Sequence, residues 1–103
     1  MFDIIYEINR IEEKYGDDFN WGTDINRDYF QKQLARESDL TPYQEVKVLA
    51  KCYSNDDVLF LLDDKVYRIY HLTYFNCEAR YIEFQNGKDV VGYIEKQYID
   101  EYL

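Results

Sequence analysis

Residues 58–74 read Val-Leu-Phe-Leu-Leu-Asp-Asp-Lys-Val-Tyr-Arg-Ile-Tyr-His-Leu-Thr-Tyr, and this stretch decides the fold. The run 58–62 is apolar on both faces, as expected of a central β-strand. Residues 63–65 predict a turn, and residues 66–74 are rich in strong β-formers. The sequence therefore predicts a β-meander built around this hairpin.

The segments on either side extend the sheet. Residues 54–57 predict another turn, and residues 45–53 before it alternate in polarity, apart from Leu49. Residues 81–84 are left open as a short fourth strand. The strand at 66–74 mixes apolar and polar side chains on both faces, so the pattern does not tell which face is buried. For the first strand, one face is expected to carry Val46, Val48, Ala50 and Cys52, and the other Lys47, Lys51 and Tyr53.

Helical periodicity brackets the strands. Apolar side chains recur every three or four residues over 3–15, about 26–37 and about 88–102, which predicts three helices. Asn26 or Thr23 is expected to cap the second helix, and Asn86 or Gly87 to start the third. This order predicts an α+β fold with two N-terminal helices, an antiparallel three- to four-stranded β-meander and a C-terminal helix, the helices packing on one face of the sheet. We expect residues 1–103 to form a single acidic domain.

The composition limits the kind of partner. Of the 103 residues, 21 are acidic, 12 are basic and 12 are tyrosine, and the formal net charge is −9. Phosphate backbones and anionic membrane surfaces attract clustered Lys and Arg, so this balance argues against both. It favours a basic protein as partner, and tyrosines would supply contact area with little side-chain entropy to lose.

The N-terminus and the two cysteines bear on the compartment. Residues 1–7 lack the basic and long apolar regions of a signal peptide, and no apolar run approaches the length of a membrane span. Cysteines without a secretory signal predict reduced thiols in a cytoplasmic protein. We expect Cys52 to be a core thiol and Cys77 a loop thiol.

Groups that commonly carry out chemistry are scarce. His71 is the only histidine, and no Ser-His-acid or Cys-His motif accompanies it. A strand histidine beside tyrosines is more typical of a structural residue, although a small enzyme using His71 and a carboxylate stays open. The four glycines are isolated, so no phosphate-binding loop is present. We expect no catalytic residue and no cofactor.

Acidic doublets recur along the chain. The most calcium-like stretch runs from Asp18 through Asn20 to Asp24, but it misses the EF-hand pattern because its twelfth position is Tyr29 rather than Glu. Acidic pairs in turns are ordinary turn formers, so we expect no metal site. The doublets are Asp17-Asp18, Asp56-Asp57, Asp63-Asp64 and Asp100-Glu101.

The C-terminal half, comprising Val66–Tyr74, Tyr81–Phe84 and Val90–Leu103, resembles small bacterial immunity proteins. Such proteins are encoded beside polymorphic or contact-dependent toxins. The resemblance lies in a small, acidic, aromatic chain closed by a helix, and no family residue carries over by position. It implies a cytoplasmic inhibitor without catalytic activity that occludes the active site of a toxin domain, a basic nuclease, in the producing cell.

On this hypothesis the acidic turns would meet the Lys and Arg groups that a nuclease uses to hold phosphate, and tyrosines would fill the interface. We expect no direct contact with nucleic acid or membrane, and a monomer or weak homodimer. The partner-binding residues are expected at one end of the meander, and they are Asp56, Asp57, Asp63, Asp64, Tyr53 and Tyr67.

Three other functions stay open. A nucleic-acid mimic that inhibits a DNA-binding protein would space its carboxylates like phosphates along one face. The small enzyme would depend on His71. A regulatory domain would homodimerise through an exposed strand edge.

Overall fold

The computed structural model describes residues 2–16, 19–75 and 77–102. It confirms the α+β class and the order of elements expected from the sequence. The elements are α1 (Ile4–Tyr15), β1 (Trp21–Gly22), α2 (Arg27–Glu37), β2 (Val46–Cys52), β3 (Asp57–Leu62), β4 (Val66–His71), β5 (Arg80–Phe84) and α3 (Gly87–Tyr102).

Side-chain caps start the three helices where the sequence predicted. The Asp3 carboxylate accepts hydrogen bonds from the first free backbone N–H groups of α1. Asn26 accepts from the N–H of Tyr29 at the start of α2, and Asn86 from the N–H of Asp89 at the start of α3. These bonds satisfy donors that a helix leaves unpaired at its N-terminus.

The sheet has five strands in the order β1-β2-β3-β4-β5, with every neighbouring pair antiparallel. The prediction of three to four strands therefore gave too few strands. β5 confirms the strand left open at 81–84, and β1 adds one that was not expected. In β1, Trp21 pairs with Cys52 and Gly22 with Lys51. A two-residue strand shows no alternation, so this segment had the pattern of a turn.

Helices cover both faces of the sheet, so the prediction that they pack on one face was wrong. α1 and α3 pack against the face that carries Leu59 and Ile69. α2 places Phe30 and Leu34 against the opposite face, which carries Phe60. Burial on both sides explains why β3 is apolar at almost every position.

A β-bulge at Leu49 changes which way β2 faces. Val48 pairs with Phe60 and Ala50 with Leu59, so Leu49 is an extra residue between two consecutive pairs. Val46 and Val48 consequently face α2, whereas Ala50 and Cys52 face α1 and α3. The single apolar face predicted for this strand is split because strict alternation does not survive an inserted residue.

The two thiols lie as expected. Cys52 is buried, Cys77 is exposed, and both are free. Within the described part of the chain, no helix combines the length and apolarity needed to cross a membrane.

Candidate functional site

The six residues predicted to bind a partner lie at two opposite ends of the sheet. Consecutive turns of a meander fall at opposite ends, and β3 is six residues long. A strand rises about 3.3 Å per residue, which separates the two turns by about 20 Å. The prediction that they share one end was therefore wrong. Tyr53 and Asp56 lie in the β2–β3 turn and Asp57 begins β3 beside it, whereas Asp63 and Asp64 lie in the β3–β4 turn and Tyr67 is near the start of β4.

At the β3–β4 turn, the carboxylates are engaged within the protein. Asp63 Oδ1 accepts hydrogen bonds from the backbone N–H groups of Gln44 at 2.9 Å and Glu45 at 2.8 Å. Asp64 pairs with Lys47 at 2.8 Å. Both aspartates have left-handed backbone angles, with φ of 53° and 54°. These groups stabilise the turn and its link to β2, which leaves them little capacity for a partner.

Tyr67, on the neighbouring strand, is also committed to the interior. Its ring packs at the margin of the core beneath α1 and α3. Partial burial, followed by the negative charge of Asp64, raises the pKa of its hydroxyl above the ordinary value. An aromatic side chain that already packs on the core adds little area to an interface.

The surface around the β2–β3 turn has unengaged carboxylates. Among the residues that the structure describes, no hydrogen bond or ion pair reaches the carboxylates of Glu12, Asp24 or Asp56. Tyr53 is 54% exposed in the same turn. Partial burial, and then the charges of Glu12 and Asp24, raise the pKa of Tyr53. These two carboxylates therefore lie within electrostatic range of the tyrosine, although they come from α1 and from the segment after β1.

Two further tyrosines belong to this surface, because Asp56 and Tyr29 both lie within electrostatic range of Tyr74. Tyr29 on α2 is 50% exposed, and Tyr74 follows β4. Burial raises the pKa of Tyr74, and the Asp56 charge raises it further. We call this surface the acidic end; it comprises Glu12, Asp24, Tyr29, Tyr53, Asp56 and Tyr74. The sequence indicated only Tyr53 and Asp56, because the other four come from separate elements that meet through tertiary packing.

A groove of about 650 Å³ adjoins the acidic end and continues its acidic character. Lys96 in its wall pairs with Asp100 at 2.6 Å. The opposite wall includes Asn55, which belongs to the β2–β3 turn. The groove is lined by Asn55, Tyr93, Lys96, Gln97, Asp100 and Glu101.

The basic side chains nearest the acidic end are engaged. The Lys51 ammonium donates to the backbone carbonyls of Cys52 at 3.1 Å and Asn55 at 2.9 Å. Arg27 donates to the carbonyl of Thr23 at 2.9 Å. Both side chains keep their positive charge, which offsets only part of the charge of the three carboxylates of Glu12, Asp24 and Asp56 and leaves the balance of these five groups negative.

Glu37, at the last position of α2, binds the segment that follows β4 and leads into the acidic end. The residue is 2% exposed. Its carboxylate accepts hydrogen bonds from Thr73 N and Oγ1, both at 2.6 Å, from Gln33 Nε2 at 2.7 Å and from Tyr74 N at 3.2 Å. Burial raises the pKa of Glu37, but these bonds outweigh it and leave the pKa below its ordinary value. Tyr74 itself has a φ of 60°, a left-handed conformation that this carboxylate stabilises.

His71 and Asp57 form a hydrogen-bonded dyad beside the acidic end. Nδ1 of His71 lies 2.8 Å from Oδ1 of Asp57, which is the directly opposite residue on β3. The dyad faces an open groove of about 340 Å³ that Arg80 and Ile82 also line. An aspartate on Nδ1 orients an imidazole for proton transfer at Nε2. Among the described residues of this groove, no serine, threonine or cysteine supplies a nucleophile.

Comparison of the chain with protein-family models, with curated proteins and with solved structures finds no match. The geometry of the surfaces is thus what bears on function.

No group of three or more metal-ligating side chains occurs among residues 2–16, 19–75 and 77–102. The doublet Asp17-Asp18, which includes the first residue of the calcium-like stretch, lies outside these described ranges.

Proposed function

We propose that this protein is an inhibitor of the immunity-protein kind, which binds a basic toxin domain through the acidic end and occludes its active site without chemistry. The observation that carries the proposal is the set of carboxylates at Glu12, Asp24 and Asp56, which have no partner among the described residues, around the exposed ring of Tyr53. The class of partner comes from the sequence resemblance and from the net charge of −9.

The acidic end suits a nuclease for a physical reason. A nuclease holds phosphate with clustered Lys and Arg groups, and carboxylates complementary to that cluster accelerate encounter. Because these carboxylates make no bonds within the described protein, binding a partner breaks none. Tyr29 and Tyr53 then offer large, fairly rigid contact area at the same place.

The first test is affinity capture. Tagged protein is recovered from its native cells in low-salt and high-salt washes, and co-eluting chains are identified by mass spectrometry. We expect one basic chain in stoichiometric amount, whose enzymatic activity is lost when this protein is added. Recovery of only acidic or neutral chains, or a captured enzyme that stays active in the complex, would contradict the proposal.

A second candidate, a small enzyme, has one specific observation in its favour: the 2.8 Å contact between His71 and Asp57 beside an open groove. The substitution His71→Ala separates the two candidates. An inhibitor with a broad interface keeps its neutralising capacity, since the acidic end is untouched. An enzyme that uses the dyad loses its activity by several orders of magnitude.

A further inference from the structure

β5 is the outermost strand of the sheet, and its outer side is unpaired within the described part of the chain. It pairs with β4 without interruption, from Arg80 opposite His71 to Phe84 opposite Tyr67. The other edge is different. β1 has only two residues, and the Tyr53 ring lies against the backbone of Gly22. Of the two edges, only β5 offers a full strand for pairing.

β5 lacks two of the usual protections of an edge strand, although it carries two charged side chains, Arg80 and Glu83. It contains no proline and no bulge. Ile82 is 46% exposed and Tyr81 is 48% exposed, one on each face. By its register with β4, the strand places Arg80, Ile82 and Phe84 on the face of α1 and α3, and Tyr81 and Glu83 on the face of α2.

The sequence of β5 is self-complementary in one register. A two-fold axis normal to the sheet brings two β5 strands together antiparallel, and residues directly opposite then share a face. If the two-fold axis passed through Glu83, two carboxylates would lie opposite each other. If it passed through Tyr81, only three residues of each strand would be aligned. An axis through Ile82 aligns all five residues of each strand, with Arg80 opposite Phe84 and Tyr81 opposite Glu83.

We propose that β5 pairs with β5 of a second copy of this chain, with Ile82 meeting Ile82 on the two-fold axis, so that the two sheets form one continuous ten-stranded sheet. This interface is separate from the acidic end, and it stands or fails independently of the proposed inhibition.

Local charge favours a second copy over a basic partner at this edge. Nε of Arg68 donates to Glu83 at 2.9 Å, so the negative charge of the one carboxylate of β5 is offset by an arginine of the same chain. Arg80 has no ion pair among the described residues and repels a basic protein. The edge therefore escapes much of the repulsion that two chains of charge −9 exert on each other elsewhere.

The interface is small, which sets the expected affinity. Pairing a five-residue strand buries less than the roughly 1,200 Å² typical of stable complexes. We therefore expect reversible dimerisation with a dissociation constant of about 10 μM or weaker. Because salt screens the repulsion between two acidic chains, dimerisation should strengthen with salt, whereas capture of a basic partner should weaken.

Cysteine cross-linking tests the register. In a Cys77→Ser background, Ile82→Cys should give a disulfide-linked dimer, because directly opposite residues lie about 4.5–5.5 Å apart. Tyr81→Cys and Glu83→Cys should each stay uncross-linked alone, since like positions are about 7–8 Å apart or more. A mixture of those two variants should cross-link. Equal cross-linking of all single variants, or none in any, would overturn the proposed register.

Analytical ultracentrifugation tests the dimer itself. The wild type should associate with rising concentration up to about 1 mM, and more strongly at about 500 mM than at 50 mM salt. Ile82→Lys should weaken association at least tenfold, because two ammonium groups would meet. Ile99→Lys, at a similarly exposed isoleucine on α3, is the matched control and should associate like the wild type. A wild type that is monomeric throughout, or equal effects of both substitutions, would contradict pairing through β5.

Discussion

The Arg68 guanidinium lies over the ring of Tyr81, 4.1 Å from its centroid. The same group donates to the hydroxyl of Tyr70 at 2.7 Å and of Tyr43 at 2.8 Å, and to Glu83 at 2.9 Å. Its side chain is only 12% exposed. Burial lowers the pKa of Arg68, but the bonds to Tyr70 and Glu83 outweigh it and raise the pKa above the ordinary value. One cation thus fixes the position of the edge strand against β4.

Replacing Arg68 should destabilise the fold. Arg68→Ala leaves Glu83 without its cation and two hydroxyls without their donor, which should cost about 3 kcal/mol. Arg68→Lys keeps the charge but cannot make three separated bonds, and should cost about 1–2 kcal/mol. Urea unfolding measures both. Arg36→Ala, at an exposed arginine near the end of α2, should cost less than about 1 kcal/mol. Equal costs at the two positions would show that the stacking of Arg68 on Tyr81 and the hydrogen bonds of Arg68 contribute nothing to the free energy of unfolding.

Glu37→Gln should destabilise the protein by about 2 kcal/mol near neutral pH. The amide presents a donor where Thr73 and Tyr74 already present N–H groups, so a buried bond to a charged acceptor is lost. Glu78→Gln, at an exposed carboxylate in the same connection, should change the free energy of unfolding by less than about 0.5 kcal/mol. Chemical denaturation of the three proteins measures this difference.

The cost of Glu37→Gln should depend on pH. The folded-state pKa of Glu37 is depressed, so its carboxylate contributes stability above the unfolded-state pKa of about 4.3. That contribution is lost as the pH falls through the lower, folded-state pKa. The difference between wild type and variant should therefore shrink on acidification below about pH 4. A difference that stays constant from neutral to acid pH would assign the effect to packing instead of charge.

Charge removal at the acidic end should slow association with the captured partner. Glu12→Gln with Asp56→Asn removes two carboxylates there, and Glu45→Gln with Asp64→Asn removes two at the opposite end. Only the first pair should lower the association rate constant several-fold at low salt, with a smaller effect at high salt. Stopped-flow or biosensor kinetics measure both. Equal effects at both ends would mean that net charge alone steers the encounter.

Gly22 and Tyr53 should be energetically coupled. A methyl group at Gly22 would overlap the Tyr53 ring, which is exposed and free to rotate away. Gly22→Ala should therefore cost only about 1 kcal/mol in the wild type, and measurably less in a Tyr53→Ala background. A double-mutant cycle by urea unfolding gives the coupling. Identical costs in both backgrounds would show that the strain lies in the backbone of β1.

The sequence by itself determined the elements whose signals are local. The stripe of Ile4, Ile8 and Ile11 and the cap Asn26 each act within a few residues, so periodicity and capping rules located the first two helices. The apolar run of β3 and the acidic turn after it likewise defined the hairpin. Two of the residues of the acidic end, Tyr53 and Asp56, were predicted because they lie in a turn with its own composition signal.

Only the tertiary structure decided how these elements meet. The bulge at Leu49 and the two-residue strand at Trp21 depend on partners about 10 and 30 residues away, and alternation within one segment does not report them. The same holds for α2 on the second face and for the burial of Glu37. All of these features depend on contacts between elements that are distant in the sequence. Helices cover both faces because burying both faces of β3 lowers the free energy of the whole chain, a term that no short window of sequence contains.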